Sequence, residues 1–74
     1  MREVEISTEF IKLGQFLKLS SLVGQGSDAK MLIKDGMILV NGITEIQRGK
    51  KLYSGDIVEL KGEKKVKVIS IFEG

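Results

Sequence analysis

The sequence predicts an α+β domain in the order β-α-α-β-β-β-β, with two helices packed on one side of a small, mostly antiparallel sheet. Three observations carry this. Phe10, Leu13 and Leu17 repeat at helical spacing early in the chain. Asn41-Gly42, set between apolar runs, is the signature of a two-residue hairpin turn whose central positions both need positive φ. Beyond it, short apolar runs alternate with glycine-bearing turns, as strands do.

Taken in order, residues 2–6 alternate, with Arg2, Val4 and Ile6 on one face and Glu3 and Glu5 on the other, which suits a half-buried edge strand. Ser7 or Thr8 offers a cap and Glu9 suits a first helical turn, so helix one is expected over residues 8–19. Its buried face would hold Phe10, Leu13, Phe16 and Leu17, with Gly14 permitting a close approach. Residues 20–26 read as a loop plugged by Leu22 and Val23. Helix two is expected over residues 27–35, capped by Ser27, buried through Ala29, Leu32 and Ile33, and stopped at Gly36. Met37 to Val40 and Ile43 to Ile46 form the hairpin, and residues 47–53 are a basic connector. Ser54-Gly55-Asp56 is a turn that Asp56 caps. Residues 57–60 are a strand, residues 61–64 turn, and residues 65–72 are the last strand, with Phe72 in the core. The whole of residues 1–74 is read as one domain.

Composition removes several function classes. Hydrophobic residues at 42% and charged residues at 30% fit a globular chain rather than a disordered one. With no cysteine and no histidine, the chain has no disulfide staple, no thiolate or imidazole metal site, and no Ser-His-Asp or Cys-His catalytic arrangement. None of its acids sits beside an expected buried partner suited to acid-base work, so an enzyme is not expected, nor a cofactor. Gly24-Gln25-Gly26 is too short to be a nucleotide loop. No segment is apolar over the roughly 20 residues a membrane span needs, and residues 1–5 do not read as a signal peptide. A cytoplasmic monomer without a membrane or small-molecule partner is the expectation.

Charge is segregated along the chain. Seven basic residues against three acidic ones between Lys12 and Lys51 give that span +4, leaving −2 for the flanks of a chain whose total is +2. Lys30 and Lys34 are spaced i, i+4 on helix two, away from its apolar face. Arg48, Lys50 and Lys51 crowd the connector with no acid among them, a cluster that repels itself unless an anion is near. Lys64, Lys65 and Lys67 read instead as a guard against sheet-edge pairing. With Phe10, Phe16 and Phe72 assigned to the core, Tyr53 is the one candidate for base stacking, so any nucleic acid would be held through phosphate charge and shape.

From Lys12 to Leu60 the sequence resembles the RNA-binding domain named after ribosomal small-subunit protein four. The resemblance rests on the Leu13…Leu17 helix, Ala29-Lys30…Ile33…Gly36, the Val40-Asn41-Gly42 hairpin, and Gly55-Asp56-Ile57-Val58. Two positions depart from the family pattern: Lys12-Leu13-Gly14 stands where Arg-Leu-Asp is common, and Gln25-Gly26 where Ser-Arg is common before helix two. The resemblance implies a stand-alone, ribosome-associated bacterial module that binds structured RNA (ribosomal RNA, tRNA or a small RNA). Its contacts would be Lys12, Lys18, Ser27, Lys30, Lys34, Asn41, Arg48, Lys50 and Lys51. The Val-Asn-Gly and Gly-Asp-x-Val text is also similar to ubiquitin-like sulfur carriers, but those end in Gly-Gly whereas this chain reads Phe72-Glu73-Gly74. A basic face for an acidic protein partner is the other alternative.

Overall fold

A computed structural model describes residues 1–24 and 28–73. Its elements are β1 (Arg2–Ile6), β2 (Phe10–Lys12), α1 (Leu13–Leu19), α2 (Ala29–Lys34), β3 (Ile38–Val40), β4 (Ile43–Thr44), β5 (Lys51–Tyr53), β6 (Ile57–Leu60) and β7 (Lys64–Ser70). Five strands form one sheet in the order β1-β7-β6-β3-β4, and β2 pairs with β5 in a separate two-stranded ribbon. β1 lies parallel to β7 at the sheet edge, and the other pairs are antiparallel. The expected α+β class and the edge position of the first strand therefore hold.

Strand alternation divides the sheet into two faces. Ile6, Ile38, Val40, Val58, Leu60, Val66 and Val68 are buried on the inner face. Against them lie Leu13, Phe16 and Leu17 of α1, Ala29 and Ile33 of α2, and Leu52 of β5. Leu22 and Val23 plug the core after α1, as the sequence suggested. The chain leaves α1 through the buried Ser20, whose Oγ accepts from Leu22 N at 3.3 Å, and through Ser21 at φ +56°. α2 stops at Gly36, where φ is +76° and the Gly36 and Met37 N–H groups donate back to Ile33 O and Leu32 O. Asn41 and Gly42 both take positive φ, as the hairpin demands.

Several expectations are corrected. Helix one begins at Leu13, not at residue 8, because Phe10-Ile11-Lys12 pairs with Tyr53-Leu52-Lys51. Ile11 and Leu52 face inward while Phe10 is only half-buried and lies outside the core cluster. The connector expected at residues 47–53 thus ends in a strand, β5. Helix two is capped by Asp28, whose Oδ1 accepts from Lys30 N at 3.0 Å, and Ser27, the expected cap, lies outside the described residues. The last strand ends at Ser70; Ile71 and Phe72 are exposed, so Phe72 is not core. The return strand of the hairpin holds only Ile43 and Thr44, with Ile46 exposed beyond it.

Candidate nucleic-acid interface

The site begins at the N-terminus of α1, where helical N–H groups have no partner within the helix. Lys12, the N-cap residue, supplies no side-chain cap. The basic loop does so with its backbone: Leu13 N donates to Lys50 O at 2.8 Å and Gly14 N to Arg48 O at 3.1 Å. This pins residues 48–50 across the first turn of α1. Arg48 passes so close that a Cβ at Gly14 would meet its Cγ at 2.7 Å and its Cδ at 3.3 Å. Glycine is what lets the loop and the arginine lie down on the helix, the close approach expected of Gly14.

The consequence is a convergence of charge. Lys12 before α1, Lys18 in its last turn, Lys30 in the first turn of α2 and Arg48 from the loop surround one open concavity of about 490 Å³. Gly14 and Gly49 line it as well, so backbone and not side chains makes part of its wall. Four cations face one carboxylate, Asp28, which is already engaged in capping α2. Like charges lining one surface lower their mutual repulsion by taking up an anion. Gln15 also lines the concavity, and its place at an exposed position of α1 could have been read from the sequence once the helix start was right.

The remaining sequence candidates lie elsewhere. Lys34 is exposed at the end of α2 and does not line the concavity. Lys50 and Lys51 line a second concavity, also of about 490 Å³, together with Asn41, Ile43, Glu45 and Tyr53. Asn41 is occupied within the fold: its Nδ2 donates to Asp56 Oδ1 at 3.1 Å and its Oδ1 accepts from Ile57 N at 2.9 Å. Asp56 Oδ2 accepts from Tyr53 N at 2.8 Å, so the capping role read for Asp56 is present and extends to the hairpin turn. Ser27 lies outside the described residues, as do Gln25 and Gly26. The edge-guard reading fails at Lys67, which β1 and β6 flank on both sides; Lys64 and Lys65 lie beyond the end of β1 and pair with β6 alone, so for them it stands. Lys65 is in register with Glu59 and Lys67 with Glu3, which matches their charge across strands.

Sequence reasoning also missed the ribbon. Phe10 and Tyr53 are cross-strand partners with ring centroids 5.9 Å apart, and Lys51 Nζ lies 4.7 Å from the Phe10 centroid. The signal was present as two period-2 triplets, Phe-Ile-Lys and Lys-Leu-Tyr, but they lie far apart in the chain. Among the described residues no group of acids is placed to hold a metal ion, and no helix is long and apolar enough to cross a membrane.

Comparison with known proteins connects the chain to a family and to a relative. The family model of the S4 domain matches residues 4–69. A probable ribosome maturation protein, RlbA, of Bacillus subtilis (strain 168) is 46% identical over 59 residues, which span 80% of this chain and 83% of the relative.

Proposed function

The chain belongs to the S4 domain family, and on that premise we propose that it is a non-catalytic module that binds structured RNA through the basic concavity and serves ribosome maturation. The observation that carries this is the convergence of Lys12, Lys18, Lys30 and Arg48 from three separate parts of the chain onto one surface. Lysine and arginine neutralise phosphates and release their counterions, which supplies affinity without base identity. Arg48 adds a planar fork suited to a phosphate, and the bond from Gly14 N to Arg48 O holds its backbone against α1. The similarity to a ribosome maturation protein supports ribosomal RNA as the target. In this reading the protein works in the bacterial cytoplasm as a monomer without a small-molecule substrate, and Lys34, Lys50 and Lys51 extend the footprint around the concavity.

Filter binding of the purified chain to folded ribosomal RNA fragments, with heparin as competitor, tests it. The expected result is RNA retention that persists at an equal concentration of heparin charge, because RNA shape adds to charge. Displacement at that concentration would leave a generic anion surface and contradict the reading. Crosslinking in cells followed by sequencing of the bound RNA then names the target.

A further inference from the structure

The ribbon of β2 and β5 turns one face inward and one outward. Leu52 is fully buried and Ile11 packs against the core. The alternate residues Phe10, Lys12, Lys51 and Tyr53 form the outward face, with Phe10 opposite Tyr53 and Lys12 opposite Lys51. Two features of this rectangle are unfavourable in the free protein. Like charges directly opposite on paired strands repel. Tyr53 leaves 46% of its surface in water. Lys51 relieves the first in part by placing its Nζ 4.7 Å from the Phe10 ring centroid, a cation–π contact. A ligand with an aromatic face and adjacent negative charge would answer both at once.

We propose that this face is a stacking site for one unpaired nucleobase, with Tyr53 as the stacking ring and Lys12 and Lys51 on the flanking phosphates. The proposal rests on the RNA-binding reading above and deepens it. Phe10 holds the tilt of Tyr53 from one side, at 46° between ring planes. Tyr53 and Lys51 line the second concavity, where the exposed Ile43 offers the base an apolar wall and the carboxylates of Glu45 and Asp56 direct the flanking phosphates to the Lys12 side. Lys12 belongs to both surfaces, so a strand leaving the phosphate-binding concavity passes directly over the ribbon. The footprint therefore joins a shape-reading surface to a reader of a bulged or looped-out base, the part of folded RNA that aromatic side chains recognise.

The chain has one tyrosine and no tryptophan, so its intrinsic emission reports Tyr53 alone. Three labelled hairpin RNAs are compared: one with a single bulged adenosine, one with an abasic bulge at the same place, and one fully paired. The bulged hairpin should bind about five- to a hundredfold more tightly than the abasic one, and it alone should quench the tyrosine emission. Tyr53→Ala should erase that preference, leaving the affinity for the abasic hairpin and its salt dependence near wild type, while loss of the Phe10 pair lowers the denaturation midpoint by up to about 8 °C. Tyr53→Phe should keep the preference. Equal binding of bulged and abasic hairpins by the wild type would overturn the stacking site alone, and so would a preference that survives Tyr53→Ala. Failure of all three hairpins to bind would overturn the RNA reading and this site with it. A Tyr53→Ala protein that binds the hairpins as wild type does but no longer co-sediments with ribosomes would assign the ribbon to a protein contact instead.

Discussion

Replacing Gly14 by alanine should separate stability from RNA binding. The new Cβ would lie 2.7 Å from Arg48 Cγ, too close to stay, yet 3.7 Å from Arg48 O, an ordinary contact. The side chain must therefore move while the backbone bond from Gly14 N to Arg48 O can remain. Forcing Arg48 off its rotamer costs about 0.5–1.5 kcal/mol. Alanine gains at most roughly 0.8–1 kcal/mol over glycine, the helix-interior value, at this second position of α1. The two offset, and stability should change by less than about 1 kcal/mol, a shift of no more than about 8 °C in Tm for a domain of this size. Binding should not be spared, because Arg48 is displaced from the concavity. Without its grip on one phosphate, the slope of log K against log salt should shrink by about 0.7 to 0.9. Thermal denaturation and RNA titrations at four salt concentrations measure both quantities. Arg48→Ala should give the same slope, and the double substitution no additional decrease, since both act on one phosphate. The reasoning is refuted if Gly14→Ala keeps the wild-type slope while Arg48→Ala lowers it. Destabilisation by more than about 3 kcal/mol would refute it too, since the loop backbone would then have to be what gives way.

Gly36→Val places a β-branched residue at φ +76° and should destabilise by about 1–2 kcal/mol or more, read as a lower denaturation midpoint; an unchanged midpoint would reject the helix stop. Asn41→Ala removes the acceptor of Ile57 N and the donor to Asp56 and puts alanine at φ +53°, and should lower stability by about 2 kcal/mol or more in urea unfolding. The same variant should keep the RNA salt slope of the wild type if Asn41 serves the turn and not the ligand; a smaller slope in the folded variant would return Asn41 to the interface.

The parts of the fold that depend on local chemistry were legible in the sequence. Gly36 as a helix stop and Asn41-Gly42 as a hairpin need only a few neighbours to be recognised, and both have the expected positive φ. β1 and its inward residues followed from alternation alone. What failed was long-range pairing. Phe10, Leu13 and Leu17 fit a helical period as well as Phe10, Ile11 and Lys12 fit a strand, and only the partner triplet at Lys51–Tyr53 decides between them. Misplacing Phe10 inside a helix also hid the aromatic face of the ribbon. The surroundings of the last strand follow the same rule: Lys67 resembles an edge residue only until β1 is laid beside β7, whereas Lys64 and Lys65 lie beyond the end of β1 and pair with β6 alone. Of the candidate contacts, Lys12, Lys18, Lys30 and Arg48 were named from their charge and from the family resemblance, but their meeting in one concavity depends on the α1–loop hydrogen bonds. No sequence spacing encodes those bonds.

The central claim is that phosphates are gathered locally in that concavity and not by diffuse positive charge. Two triple variants test it most directly, because each removes the same formal charge: Lys12, Lys30 and Arg48 to alanine, and Lys64, Lys65 and Lys67 to alanine. The salt dependence of binding to one folded ribosomal RNA fragment is measured for both, after circular dichroism shows both folded. The first variant should lose about 2 to 3 from the slope of log K against log salt, at roughly 0.7 to 0.9 per phosphate, with a similar decrease across unrelated RNA sequences. The second should stay close to wild type, since Lys65 and Lys67 of β7 sit in register with Glu59 of β6 and Glu3 of β1. Equal decreases in the two folded variants would contradict the account and leave only the overall charge of the chain.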